Sequence, residues 1–352
     1  MKYSLKIFTI LGIPVELHIS FVLLMAFIYV IAFLKLFPGI NLQTALLITL
    51  LFVTVVLHEL SHSYLAQRYG IRIERIILLP IGGVSAMEEI PSDPGQELRI
   101  SLAGPLVNFL IAALCYPLLL LLGKSYPILS AFISYFILVN IILGAFNLLP
   151  AFPMDGGRVL RAYLAERMNY IRATELAASV GKSLAILMAI VGLLIIRNPF
   201  LILVAIFVYI GADQEYQAVL ISRLLGDMHV EEIMSPEVKT VTPENTVEEV
   251  LEIMFREKHM GYPVLKDNIP MGIVTFHDLS RVAEKDKDKQ ISQFMSSDLV
   301  VTNPQEPLTD ALEKLNQHKV GRLPVLEQGK LVGIVSRTDV MRALEIMKLK
   351  SV

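Results

Sequence analysis

Long uncharged runs in the first two thirds of the chain constrain its fold more than any other feature. Residues 43–57, QTALLITLLFVTVVL, carry no charge at all. A helix that crosses a bilayer needs about 20 largely apolar residues. Six segments of that kind can be recognised, at roughly 18–37, 42–66, 98–123, 127–149, 173–196 and 199–221. Overall, 54% of residues are hydrophobic and 18% charged, which is too apolar for an ordinary soluble enzyme.

The distribution of basic residues predicts the orientation of these helices. One set of connecting segments carries most of the arginines and lysines: Lys2, Lys6, Arg68, Arg72, Arg75, Arg99, Arg158, Arg161, Arg167, Arg172 and Arg223. The opposite set carries Lys35, Lys124 and Arg197. Cytoplasmic loops are the basic ones, so we expect a multi-pass protein of the cell membrane with its N-terminus and C-terminal region in the cytoplasm.

One segment between the second and third apolar runs breaks the helical pattern. Residues 71–76, IRIERI, alternate apolar and polar side chains, and ILLPIGGVSAMEE follows at 77–89. Alternation with β-branched residues, a proline and paired glycines predicts a short β-hairpin near the cytoplasmic face. A simple interhelical loop is the alternative.

The second apolar run ends in HELSH, which places His58, Glu59 and His62 inside a predicted membrane helix. Residues i and i+4 of a helix share one face, so both imidazoles can bind one metal ion, with Glu59 beside them as a general base. Ionisable groups inside a membrane segment usually mark function. Zinc suits this donor set, and a catalytic zinc takes three protein ligands.

A third ligand is therefore required, and Asp155 in NLLPAFPMDGGR, residues 147–158, is a candidate. Pro150 and Pro153 interrupt the helix, and Gly156-Gly157 permits a tight turn that presents the carboxylate. The alternative is that Asp155 only caps the helix that follows.

Three motifs together resemble the site-2 protease family of intramembrane zinc metalloproteases: HELSH, SLAGPLVN at 101–108 and NLLPAFPMDGGR. The resemblance implies that His58, His62 and Asp155 bind one Zn²⁺ and that Glu59 is the general base. It also implies that Asn147 orients substrate or stabilises the oxyanion, and that the segment around Gly82-Gly83 holds an extended substrate. For Asn108, a packing role and a direct role remain open.

The charged C-terminal part contains an internal repeat. Its landmarks IMSP, GYPVL and GIVTFHD at 233–278 return as FMSS, GRLPVL and GIVSRTD at 294–339, mostly with an offset of 61 residues. Each copy predicts the order strand, helix, strand, strand, helix, beginning with VKTVTP at 238–243 in the first. This α/β tandem resembles a pair of CBS domains. We therefore expect a membrane protease domain at 1–225 and CBS modules at 226–290 and 291–352.

CBS pairs often bind adenine nucleotides, and their hydroxyl–carboxylate signature corresponds here to Thr275 with Asp278 and Ser336 with Asp339. The resemblance thus implies ATP, ADP or AMP as a regulatory ligand, and a homodimer through the pair. The same side chains could serve only as helix N-caps.

The leading hypothesis is an intramembrane zinc protease that hydrolyses peptide bonds in or near the transmembrane segments of membrane-protein substrates. A CBS-regulated ion transporter or channel is the main alternative, and a scaffold without catalysis is another. The formal net charge of −2 and the lack of a basic, aromatic-interleaved stripe argue against nucleic acid as a partner.

Overall fold

The computed structural model describes residues 4–87, 93–122, 125–267 and 269–350. These residues form two compact units, with the border between Tyr216 and Gln217. The predicted break after Leu225 coincides with the end of a long helix and stays a prediction. Lys2, Lys124 and the predicted hairpin residues Glu88 and Glu89 lie outside the described residues.

The first unit is mainly helical. Its helices are α1 (Ile19–Leu34), α2 (Leu42–Arg68), α3 (Pro94–Leu122), α4 (Pro127–Asn147), α5 (Asp155–Ala165), α6 (Tyr170–Ile190, extended by a π-helical turn at Val191–Ile195) and the part of α7 (Pro199–Leu225) up to Tyr216. Within the described residues, five of them are long and apolar enough to cross a membrane: α2, α3, α4, α6 and α7. The predicted polytopic helical domain is confirmed.

The first predicted membrane segment, 18–37, is shorter than expected. Helix α1 has 16 residues, about 24 Å at 1.5 Å per residue. It begins directly after a strand, with His18 as its N-cap, and ends where Lys35 adopts the left-handed conformation at φ 53°. Its length alone therefore falls short of the roughly 30 Å hydrocarbon core.

A four-stranded sheet contains the predicted hairpin and a second hairpin that the sequence did not indicate. The strands are β1 (Ser4–Ile10), β2 (Ile13–His18), β3 (Ile73–Leu79) and β4 (Gly82–Met87), in that order across the sheet. The two hairpins are antiparallel, whereas β2 and β3 pair in parallel. Strand β4 is consequently an edge strand, and the loop alternative for 71–89 is excluded for the described part.

The sheet packs on α1 and α2 through a small apolar core. Its buried residues are Ile13, Val15, Phe21, Val56, Leu60, Ile76 and Leu78. Val56 and Leu60 come from the same turns of α2 as the HELSH motif, so this packing places the sheet next to Glu59. The first β-hairpin thereby helps to position the predicted catalytic segment.

The second unit contains two matching hairpins, β5–β6 (Gly261–Lys266, Ile269–Thr275) and β7–β8 (Arg322–Glu327, Lys330–Ser336). Its helices are α8 (Val247–Glu257), α9 (Phe276–Leu279), α10 (Leu308–Gln317) and α11 (Arg337–Lys350). The predicted first strand of each copy is reduced to a single parallel bridge, Val241 with Val264 and Thr302 with Val325. In the first copy Pro243 follows closely, and proline has no N–H to continue a ladder.

The two repeats exchange segments. Ser235, at the start of the first copy, forms a bridge with Ile334 of β8, whereas Ser296 of the second copy forms a bridge with Ile273 of β6. Ile291 likewise belongs to the apolar core of the first copy. The two copies therefore form one intertwined unit, and the predicted module border at 290/291 stays a prediction.

Candidate metal centre

Helix α2 supplies two histidines with converging side chains. His58 and His62 are one helical turn apart and both are buried. Their rings meet edge to face, and the two Nε2 atoms lie 3.1 Å apart. The predicted i, i+4 arrangement is thus present, with both Nε2 atoms directed at one point.

Helix α3 fixes the orientation of each imidazole from the opposite side. His62 Nδ1 lies 2.6 Å from the backbone carbonyl oxygen of Ile100, and His58 Nδ1 lies 2.7 Å from Asn108 Oδ1. Because both partners are acceptors, each Nδ1 carries the proton and donates it. In the neutral imidazole, each Nε2 then keeps its lone pair, which is the state that binds a metal.

Gly104 lets α3 approach the histidines this closely. A Cβ at position 104 would lie 2.2 Å from His62 Nε2 and 2.5 Å from His58 Nε2. No side chain fits there without displacing the imidazoles. Gly104 lies one turn before Asn108, so a single face of α3 supports the site.

The segment before α5 brings Asp155 to the same point. Its Oδ2 lies 3.1 Å from His58 Nε2 and 3.2 Å from His62 Nε2. Gly156 and Gly157 allow the sharp turn, because a Cβ on Gly156 would lie 2.3 Å from the carbonyl oxygens of Leu148 and Leu149. Met154, rather than Asp155, is the N-cap of α5. The capping alternative for Asp155 is therefore wrong.

These three residues fit a zinc ion. Their ligand atoms lie within 4.8 Å of one another, and the three closest separations are 3.1–3.2 Å. Tetrahedral zinc with ligands at about 2.0–2.1 Å requires ligand–ligand separations of roughly 3.3 Å. Two imidazole lone pairs and a carboxylate oxygen that face one another repel, and a bound cation removes that repulsion.

A cavity of about 770 Å³ opens beside this cluster. Its walls include Glu59 and Asn147, and also the turn and strand at 80–85. Gly83 of β4 comes so close to Glu59 that a Cβ there would lie 2.6 Å from Glu59 Cγ. Asn147 donates from Nδ2 to the carbonyl oxygen of Leu143 in its own helix. Glu59, Asn147 and the Gly82-Gly83 segment thus line the same cavity. The substrate-holding role of the Gly82-Gly83 segment stays a prediction.

Sequence reasoning left the role of Asn108 open and did not single out Ile100 or Gly104. The signal for Gly104 and Asn108 was available in SLAGPLVN, where a glycine and an amide stand four residues apart on one helix face. The Ile100 carbonyl had no side-chain signal, because a backbone acceptor can be supplied by any residue type.

In the second unit, the candidate nucleotide residues form helix caps. Thr275 Oγ1 donates to Asp278 Oδ2 at 2.6 Å, and Asp278 Oδ2 also accepts from the Thr275 backbone N–H at 2.9 Å. Ser336 and Asp339 repeat this geometry, with distances of 2.6 and 2.9 Å. The capping role is present in both copies, and each Asp uses Oδ2 for it.

The chain matches two protein families along its length. The model of Peptidase family M50 matches residues 46–132 and 123–190, and the CBS domain model matches 230–285 and 291–346. A zinc metalloprotease of Methanocaldococcus jannaschii is 42% identical over 99% of this chain and 98% of that protein. A CBS domain-containing protein of Bacillus subtilis is 34% identical over 31% of this chain and 81% of that protein.

Among solved structures, the site-2 protease from Methanocaldococcus jannaschii is 48% identical to this chain. The match covers 61% of this chain and 95% of that one, with a TM-score of 0.46. The comparisons give no support to the ion-transporter alternative.

Proposed function

Because this chain belongs to Peptidase family M50, the site-2 protease family of intramembrane zinc metalloproteases, we propose that His58, His62 and Asp155 hold its zinc ion and that Glu59 is the general base. The protein is thus a multi-pass membrane enzyme that acts on membrane-protein substrates in the bilayer. The observation that supports the ligand set is the convergence of three metal-binding side-chain atoms, separated by 3.1–3.2 Å.

The chemistry divides between the metal and the chain. When bound, zinc polarises the scissile carbonyl and acidifies a water molecule. Glu59 accepts a proton from the attacking water and delivers it to the leaving amine. Asn147 also lines the cavity and, with Nδ2 bonded once to the Leu143 carbonyl oxygen, keeps a second amide N–H to offer to substrate, which supports an orienting or oxyanion-binding role.

We expect Asp155→Asn to lower the affinity for zinc at least about 100-fold, the upper end of the cost of losing a second-shell partner. The amide keeps the shape of the carboxylate but loses the charge that balances the metal. Zinc per chain, measured by metal analysis and chelator competition, tests this. The matched control is Asp213→Asn on α7, where a carboxylate pairs with Lys182 instead. Wild-type zinc affinity in the Asp155 variant would show that another group completes the ligand set.

The parallel pairing of β2 with β3 supports six membrane crossings. Strand β2 leads directly into α1 and β3 follows α2, and the two strands pair with each other, so both ends of the α1–α2 segment lie at one sheet and hence on one side of the membrane. Helix α1 must then cross despite its length, and an even number of crossings returns the C-terminal unit to the side of the N-terminus. The basic loops indicate that this shared side is the cytoplasm. Protection of residues 217–352 from protease in inside-out vesicles would contradict this orientation.

For the CBS pair we propose adenine nucleotide binding, with the hydroxyls of Thr275 and Ser336 near phosphate and the carboxylates of Asp278 and Asp339 on ribose. Both Asp residues engage Oδ2 in the caps, and a carboxylate has a second oxygen for a ribose hydroxyl. A homodimer through this pair stays a prediction. Regulation of the protease requires that nucleotide bind its active and inactive states with different affinity.

Calorimetric titration of the full chain with ATP, ADP and AMP tests this proposal. We expect heat from at least one nucleotide, and its loss in the double variant Asp278→Ala, Asp339→Ala. Glu249→Ala is the matched control, because Glu249 forms the same kind of capping box with Thr246. If the double variant and the control lose only stability and bind nucleotide alike, these carboxylates are caps alone.

A further inference from the structure

Of the three candidate zinc ligands, Asp155 alone lies outside α2. Its position depends on the segment 148–154 and on α5, which begins at Asp155 itself. A metal site loses affinity when a ligand moves by more than about 0.5 Å. The elements that hold this segment therefore contribute to metal binding.

Helix α7 contacts the segment immediately before Asp155. A Cβ on Gly211 would lie 2.7 Å from Pro153 Cδ, so the proline ring lies directly on the α7 backbone. One turn earlier on α7, Phe207 lines the cavity that contains the cluster. Positions 207, 211 and 215 repeat every four residues, which places them on one face of the helix.

The same face of α7 holds α5 through a buried ion pair. Glu215 Oε1 accepts from Arg161 Nη1 at 2.7 Å. Arg161 is fully buried, and its Nε donates to Glu97 of α3 at 2.8 Å. Its guanidinium also lies 5.0 Å from the centre of the Phe152 ring, two residues before Met154. Arg161 thus contacts both the segment before Asp155 and two neighbouring helices.

We propose that α7 positions the third zinc ligand: Gly211 seats Pro153, and Glu215 anchors Arg161, so that the Asp155 carboxylate stays directed at the two histidines. The inference rests on the proposed ligand set. A buried cation between two carboxylates contributes little net stability, because desolvation offsets the attraction. The contacts of Arg161 with Glu97 of α3 and Glu215 of α7 instead restrict α5 to one arrangement.

The test compares zinc affinity and folding separately in the full-length protein in detergent. Chelator competition gives the zinc affinity of Glu215→Ala and Gly211→Ala, and thermal unfolding without zinc reports the fold. We expect zinc affinity to fall about 10–100-fold, as for other groups that orient ligands. Because Glu215→Ala also removes one partner of a buried ion pair and so destabilises the fold, zinc affinity is compared only in variants that still unfold cooperatively without zinc. Glu215→Gln keeps an acceptor for Arg161 and should restore most of the affinity.

Asp213→Asn serves as the matched control, because it removes a different ion pair, with Lys182 of α6, from the same helix. Wild-type zinc affinity in both Glu215→Ala and Gly211→Ala would overturn the positioning role. So would an equal loss of zinc affinity in Asp213→Asn. If Asp155→Asn keeps its zinc, the ligand set fails; if only the α7 variants keep it, the ligand set stands and the positioning role fails.

Discussion

Cleavage by the Glu59→Gln variant is expected to fall by about two to four orders of magnitude, the range that a general acid–base contributes, while the variant keeps its zinc. Glutamine retains the length and polarity of the side chain but cannot accept a proton from water. Glu59 is also distinct from the three residues that converge as ligands. Retained metal with lost turnover therefore separates the base from the ligand set.

The measurement pairs zinc per chain with cleavage of a detergent-solubilised substrate that contains a transmembrane helix. His62→Ala provides the contrasting variant, which should lose both metal and cleavage. Wild-type cleavage by Glu59→Gln would assign the base to another residue. Loss of zinc by Glu59→Gln would instead place Glu59 among the ligands.

The Gly104→Ala variant is expected to lose zinc and cleavage together. The new Cβ would lie 2.2 Å from His62 Nε2, well inside van der Waals contact, so either the imidazole or α3 must move. Alanine is the better helix former by roughly 1 kcal/mol. A defect therefore cannot come from helix propensity and must come from the lost space.

Metal analysis of the purified variant is the direct check. Leu106→Ala is its matched control, since this exposed side chain lies two residues further along α3 and its truncation leaves the histidines untouched. A Gly104→Ala protein with a full equivalent of zinc would show that α3 can withdraw from α2 at little cost.

Local patterns in the sequence account for much of the architecture. Uncharged runs predict the membrane helices, HELSH predicts two converging imidazoles, and the repeat predicts two matching hairpins. In each case a short window contains the whole signal. The prediction of Asp155 as the third ligand depended on the family resemblance. Asp155 lies 93 positions from His62, and spacing in the sequence cannot show which distant carboxylate lies beside a histidine.

What the sequence did not indicate depends on contacts between distant segments. The N-terminal hairpin lies before the first predicted membrane segment and was missed, because only pairing with the distant strand β3 makes β2 an interior strand. Arg161 was counted as one of many basic loop residues. Its burial between Glu97 and Glu215 follows from the packing of three helices, which no local pattern encodes.

The parallel pairing of β2 with β3 also sets an order for biogenesis. The first hairpin leaves the ribosome before α1 and α2, yet its partner strand is translated only after both helices. An isolated two-stranded hairpin is marginally stable in water, so the nascent chain carries an incomplete sheet while two helices insert. The strands made first are therefore completed only once β3 has returned to their side of the bilayer.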